Sequence, residues 1–204
     1  MNRYGGLRIT ILLLAGAMPS CVALEHPPID PKQAKPDERL FGAWKAVPDE
    51  TDGRYWNVFV GRPQGTVLSG MMEAVSISND RRETIKRDAM AFFQVPLGRA
   101  NYAVMVEEDL GEGQQTKKPR RSPQYSLLKY AVDGDRLTVW TTDDNALEDA
   151  VNRGKLKGTV TKGGIIEWKS VVITETGDNL LRFLKEHQDS LFVRKPMAVF
   201  TKCK

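Results

Sequence analysis

Short runs in which apolar and polar residues alternate cover most of the chain from residue 40 onward. Alternation with a period of two is typical of strands that bury one face. It predicts strands over residues 40–47, 55–60, 66–77, 89–95, 101–107, 125–132, 136–142, 155–161, 165–174 and 197–202. Evenly spaced short strands of this kind indicate a β-sandwich or a β-barrel.

One turn sequence and two helical segments fit the same picture. Asp133 and Gly134 join two predicted strands, and an Asp-Gly pair tolerates the positive φ that a hairpin turn requires. Apolar residues recur at helical spacing over residues 144–153 and 178–187. Gly154 is the expected stop of the first helix, and Thr176 is the expected cap of the second.

The first part of the chain has a different character. Residues 1–8 carry two arginines, and residues 9–18 are almost wholly apolar. That apolar run is about half of the roughly 20 residues needed to span a bilayer. A basic head and a short apolar core are typical of an export signal, so we predict a signal peptide over residues 1–20. The alternative is an internal helix of the folded domain.

Two cleavage sites compete in this leader. The residues from Met18 to Cys21 resemble a bacterial lipobox, which implies cleavage before Cys21 and diacylglycerol on its thiol. The leader resembles those of enterobacterial lipoproteins. In those proteins a residue such as Val22 after the Cys, in place of Asp, implies that the lipoprotein is located at the outer membrane and faces the periplasm. Cleavage after Ala17 would instead give a secreted or soluble periplasmic protein.

Residues 21–38 contain four prolines and few apolar residues. We therefore predict that a lipidated Cys21 is followed by a Pro-rich tether, which at about 3.1 Å per residue would hold the domain roughly 50 Å from its anchor. The predicted domain covers residues 39–204.

Composition is that of an ordinary globular domain, with 41% hydrophobic and 27% charged residues. The formal net charge of +4 includes Arg3 and Arg8 of the leader, so removing these two leaves +2. Basic residues cluster at 81–87 and 117–121 without interleaved aromatic residues, so we expect no nucleic-acid binding. We interpret the clusters as solvated loops, with contact to anionic lipid head groups as the alternative.

Gly42 and Trp44 form a G-x-W pattern in the first predicted strand of the domain. The pattern resembles the first strand of lipocalin-like barrels, in which the Trp closes the base and the Gly lets backbone approach it. The resemblance also implies a cation packed across that Trp from near the last strand, and Arg194 is the candidate. Residues 125–200 further resemble uncharacterised bacterial lipocalin-like lipoproteins. The expected fold is mainly β, an antiparallel lipocalin-like barrel of about eight to ten strands with two short helices.

Few residues of the sequence are suited to catalysis. His26 lies in the predicted tether, and His187 lies near a helix end, where a His more often interacts with the helix C-terminus. Cys203 is one residue from the end of the sequence, a poor place to position a nucleophile. Neither the spacing of a zinc or EF-hand site nor a phosphate-binding loop occurs. We expect no enzyme activity, no metal and no cofactor.

An exported barrel without catalytic groups is typical of a binding protein. An eight-stranded barrel is about wide enough for one small ligand or for packed side chains. We expect a small apolar or amphipathic ligand, together with membrane contact through the N-terminal lipid. The alternative is a ligand-free module whose outer face or loops bind an envelope protein. The large residues that are candidates to line the interior are Trp56, Phe59, Met71, Met72, Phe92, Tyr102, Tyr130 and Trp140.

Overall fold

A computed structural model describes residues 22–47, 56–65, 68–79, 85–98, 100–107, 124–162 and 169–204. Its strands are β1 (Val22–Leu24), β2 (Gly42–Ala46), β3 (Trp56–Gly61), β4 (Met71–Asn79), β5 (Ile85–Leu97), β6 (Ala100–Glu107), β7 (Gln124–Asp133), β8 (Arg136–Thr141), β9 (Gly158–Lys162), β10 (Lys169–Ile173) and β11 (Ala198–Lys202). The α-helices are α1 (Asp144–Asn152) and α2 (Gly177–Glu186), and two 3-10 helices cover Pro31–Gln33 and Glu38–Leu40. Within the described residues the predicted strands and helices are confirmed, with their ends shifted by a few residues; residues 55, 66, 67 and 165–168 of the predicted strands lie outside that part.

Eight of the strands close into an antiparallel barrel. Around the barrel the order is β2, β3, β4, β5, β6, β7, β8 and β11. Closure is made by β11, which pairs with β8 on one side and with β2 on the other. Since the fold is mainly β and carries two helices, the predicted fold class is confirmed.

The remaining three strands extend the sheet away from the barrel. Residues 128–133, in the second half of strand β7, pair with β8. Near the start of the same strand, Tyr125 pairs instead with Leu24 of β1. Strand β1 runs parallel to β10, and β10 forms an antiparallel hairpin with β9. The wall formed by β7 therefore divides, with one branch closing the barrel and the other forming a three-stranded extension.

Residues 22–38 do not form the predicted tether. Val22 and Leu24 are almost completely buried in β1, and Pro28, Ala34 and Asp37 are also buried. A Pro-rich composition allows an extended chain, but these side chains pack against the outer wall and the base of the barrel. The segment instead adds a strand, β1, to the fold.

The described residues contain two hydrophobic cores. The inner core fills the barrel and includes Trp44, Met72 and Phe92. The outer core lies between the outside of the wall and the two helices, where α1 contacts β9 and β10 and α2 contacts β5. Strand β5 shows the arrangement directly, because Phe92 belongs to the inner core and its neighbour Phe93 to the outer one. The wall at this point of β5 is therefore buried on both faces.

Asp143 is the N-cap residue of α1 and Thr176 that of α2, and the two caps differ in their hydrogen bonds. At α1, Asp143 Oδ1 accepts hydrogen bonds from the backbone N–H of Asn145 at 3.0 Å and of Ala146 at 3.3 Å. At α2, Thr176 occupies the N-cap without a side-chain hydrogen bond. Only the cap of α1 therefore satisfies free N–H groups of its helix with a side chain.

Candidate functional site

The base of the barrel lies where β2 begins. Gly42 has a φ of 121°, which favours glycine, and a Cβ there would lie 3.3 Å from Lys202 Cε. Trp44 is fully buried, and its Nε1 donates to the backbone carbonyl of Leu40 at 2.7 Å. The 3-10 helix Glu38–Leu40 is thereby fixed across this end of the barrel.

The cation over the Trp44 ring is Lys202. Its Nζ lies 5.2 Å from the ring centroid and also donates to the backbone carbonyl of Arg39 at 3.3 Å. The register explains the contact, because Lys202 of β11 is directly opposite Trp44 of β2. Arg194, the candidate from the sequence, is exposed in the segment before β11, so that assignment is wrong.

A buried carboxylate joins the base to the barrel wall. Asp37 Oδ2 accepts hydrogen bonds from Tyr130 Oη at 2.9 Å and from Arg39 Nη2 at 2.7 Å. Burial alone would raise the pKa of Asp37, but the hydrogen bonds from Arg39 and Tyr130 outweigh it and hold the pKa below its usual value. Burial, reinforced by the Asp37 carboxylate, raises the pKa of Tyr130 well above its ordinary value.

The opposite end of the barrel is its mouth, and the alternating strand directions define it. The strand ends that meet there are Ala46, Trp56, Asn79, Ile85, Glu107, Gln124, Thr141 and Ala198. Directly opposed residues of an antiparallel pair share one face of the sheet. Because Val58 packs in the inner core, its partner Ser76 and the partner of Ser76, Asp88, also face the interior.

Three polar atoms of this inward face have no hydrogen-bond partner among the described residues. They are Trp56 Nε1, Ser76 Oγ and Asp88 Oδ2, on the adjacent strands β3, β4 and β5. Ser76 is only 2% exposed. Sequence reasoning named Trp56 and missed the other two, although alternation in β4 already placed Ser76 on the same face as Ala74.

The candidate lining residues divide between the two faces of the wall. Trp56, Met72, Phe92 and Tyr130 belong to the inner core or pack against it. The remaining four face outward and do not line the interior, namely Met71 and Tyr102 in the outer core, Trp140 packed against it, and Phe59, which is 44% exposed. Their assignment to the interior is therefore wrong, and the reason is that both faces of these strands carry large apolar side chains.

The outer core also holds a buried phenol. Tyr102 is fully buried beneath Phe192, and its hydroxyl has no hydrogen-bond partner among the described residues. Burial, aided by the negative charge of Asp189, raises the pKa of Tyr102 to about 12. The phenol is therefore neutral at physiological pH.

The other residues singled out in the sequence have structural or surface positions. His187 is the C-cap of α2, with Nδ1 3.0 Å from the carbonyl of Phe183 and the two rings stacked at 4.3 Å. It borders a surface pocket of about 190 Å³ between the two α-helices. Cys203 is an exposed free thiol. Some of the residues singled out lie outside the described part of the chain. They are Cys21, Arg81 and Arg82 of the first basic cluster, and all of the second cluster at 117–121.

Neither a metal cluster nor a membrane-spanning helix is found where the structure describes the chain. No group of three or more His, Cys, Asp or Glu side chains within that part is arranged to hold a metal ion. None of its helices is both long and apolar enough to cross a bilayer.

Comparisons with known proteins give no family assignment. No family model matches the chain, and no significant match was found among curated proteins or solved structures. What the structure itself defines is a closed eight-stranded antiparallel barrel with two helices packed outside it.

Proposed function

We propose that the protein is a lipocalin-like, exported lipoprotein that binds a small amphipathic molecule inside its barrel. The observation that carries the proposal is the difference between the two ends. At the base, Trp44 fills the interior and the Asp37–Tyr130 hydrogen bond ties the covering segment to the wall. Near the mouth, the inward face holds polar atoms that have no partner among the described residues. A closed end whose polar groups are paired, together with unpaired polar atoms near the mouth, suits a ligand that binds its polar group near the mouth and places its apolar body in the inner core.

The position of β1 bears on the proposed anchor. Val22 is 4% exposed and pairs with Val171, so the folded sheet begins directly after Cys21. One residue of chain spans at most about 3.6 Å. A diacylglycerol on Cys21 would therefore hold the domain against the bilayer, and the head-group region would be within reach of the extension formed by β1, β9 and β10.

Two mass measurements test the proposal. Native mass spectrometry of protein extracted in mild detergent should show an added mass of a few hundred daltons that is lost on denaturation. The N-terminal peptide should carry a diacylglyceryl adduct on Cys21, and the variant Cys21→Ser should lack it. Repeated spectra without any added mass would exclude the carrier function, and an unmodified N-terminus beginning at residue 18 would exclude the anchor.

A second candidate function rests on the outer wall. Phe59 on β3 is 44% exposed and Ile85 at the start of β5 is 76% exposed. Exposed apolar side chains indicate a protein interface where they join into one patch. An envelope protein bound there would make the barrel an interaction module without a ligand. Cross-linking through a photoreactive residue at position 59 should capture one defined partner in intact cells if this alternative is right.

A further inference from the structure

The polar atoms near the mouth form one group, because the strands that carry them are consecutive in the barrel. Ser76 is directly opposite Asp88, and opposed residues have Cβ atoms about 4.5–5.5 Å apart. Trp56 is opposite Ser78, which places it diagonally from Ser76, about 7–8 Å away and within reach of a long side chain. A single small head group can therefore contact all three residues.

Leaving these atoms unpaired is costly for a barrel without an occupant. A buried donor or acceptor without a partner costs about 1–3 kcal/mol, and most buried polar atoms in native proteins are paired. Ser76 Oγ and Asp88 Oδ2 lie on opposed residues, yet neither is bonded to the other or to any other described group. Both therefore keep their capacity to bind an additional molecule.

The chemistry of the three groups defines the molecule that they would accept. A carboxylate only accepts hydrogen bonds, a serine hydroxyl can accept or donate, and the indole N–H only donates. Asp88 and Ser76 together suit an ammonium group, which offers several donors and a positive charge. Trp56 Nε1 suits an acceptor oxygen close to that ammonium.

We infer that the barrel binds a cationic amphiphile, with a primary or secondary ammonium group held by Asp88 and Ser76 and an apolar chain directed toward the inner core. The inference rests on the proposed function and adds the charge and position of the ligand's head group. Val58 is directly opposite Ser76, and Phe92 follows Asp88 by four residues along β5 toward the base. Both belong to the inner core or pack against it, so the surroundings of the chain would be apolar.

Three probes with the same eight-carbon chain test the head-group preference. Octylammonium, octanol and octanoate are offered to the full-length protein in zwitterionic lipid nanodiscs by equilibrium dialysis, with empty nanodiscs as the blank. Octylammonium should bind at least about tenfold more tightly than octanol, and octanoate should bind most weakly, because the charge-assisted bond to Asp88 is available to the ammonium alone. The preference should persist in about 0.5 M salt, at which attraction to an exposed surface charge is screened.

Variants assign the preference to Asp88. Asp88→Asn should reduce octylammonium binding to the level of octanol while leaving octanol within about twofold of the native protein. Ser76→Ala should weaken octylammonium about three- to tenfold and gives a second test that keeps the charge. Asp135→Asn, the same change in an exposed turn at the base, should alter nothing.

The possible outcomes separate the two proposals. Octanol binding without a preference for octylammonium, or a preference that survives Asp88→Asn, would overturn the cationic ligand while the carrier function stands. A preference that disappears in salt would overturn it equally. Absence of binding by all three probes would overturn the cationic ligand, and the native mass spectrum decides the carrier function separately.

Discussion

The hydrogen bond between Tyr130 and Asp37 allows the loss of stability in the variant Tyr130→Phe to be predicted quantitatively. Tyr130→Phe keeps the ring in the inner core and removes only the hydroxyl that donates to Asp37 Oδ2 at 2.9 Å. A hydrogen bond to a charged group contributes about 1.5–3 kcal/mol, and a chain of this size loses roughly 2–4 °C in Tm for each kcal/mol. We therefore expect the free energy of unfolding to fall by about 1.5–3 kcal/mol and Tm to fall by about 3–12 °C.

The pH dependence of stability gives this prediction a second measurement. Because the pKa of Tyr130 is raised in the folded state, its contribution is complete below the ordinary value of 10.0 and is lost as pH rises above it. Because the pKa of Asp37 is lowered, its contribution is complete above the ordinary value of 3.8 and is lost as pH falls below it. Tyr130→Phe should remove the Tyr130 share of the alkaline loss, leaving that of Tyr102, and should make the acid loss smaller because the folded pKa of Asp37 moves back toward its ordinary value.

A matched control comes from the second buried phenol. Tyr102 is fully buried and its hydroxyl has no described partner, so Tyr102→Phe should leave stability unchanged or raise it by up to about 1 kcal/mol. Urea unfolding followed by fluorescence, at several pH values, measures both variants. An equal loss in the two variants, or no loss for Tyr130→Phe, would refute the assignment of stability to the Asp37 contact.

Two further predictions concern the backbone and a helix cap. Gly70→Ala should lower the free energy of unfolding by more than about 2 kcal/mol, because its Cβ would lie 2.1 Å from the carbonyl oxygen of Ala34, whereas Gly61→Ala has open space and should change it by less than about 0.5 kcal/mol. Equal Tm values for these two would contradict the close approach. Asp143→Ala should cost about 0.5–2 kcal/mol through lost capping, and Thr176→Ala should cost much less because its side chain makes no cap bond; similar losses by urea unfolding would argue against this difference between the caps.

The sequence predicted the barrel wall well because its signal is local. In β3, Trp56, Val58 and Val60 alternate with Asn57 and Phe59, and this period of two is preserved in the structure. The hairpin turn at Gly134 also depends on nearest neighbours only, and its φ of 54° is in the expected positive range. Local patterns of this kind need no knowledge of distant partners.

Features that depend on distant partners were not predictable in this way. Val22 and Leu24 become a strand only because β10 lies beside them, and a Pro-rich neighbourhood hides that pairing. The faces of β5 and β6 were ambiguous for another reason. Phe92 and Phe93 are both buried, as are Tyr102 and Ala103, so apolar character does not show which side faces the interior.

The polar group near the mouth was missed because its residues are individually ordinary. Ser76 and Asp88 are twelve positions apart in sequence and become neighbours only through the register of β4 with β5. Lys202 took the place expected of Arg194 for the same reason, because register and not residue type decided which cation lies over Trp44.

The pairing of β2 with β11 has a consequence for how the chain reaches its folded state. Strand β2, the first of the barrel, can pair with β11 only when residues 198–202 are present. Strand β1 can likewise pair with β10 only when residues 171–173 are present. Contacts between such remote segments form slowly, and until then the edges of β2 and β8 expose unpaired backbone groups. A chain truncated before β11 is thus expected to remain an open sheet prone to self-association, and residues 198–202 must be synthesised before the barrel can close.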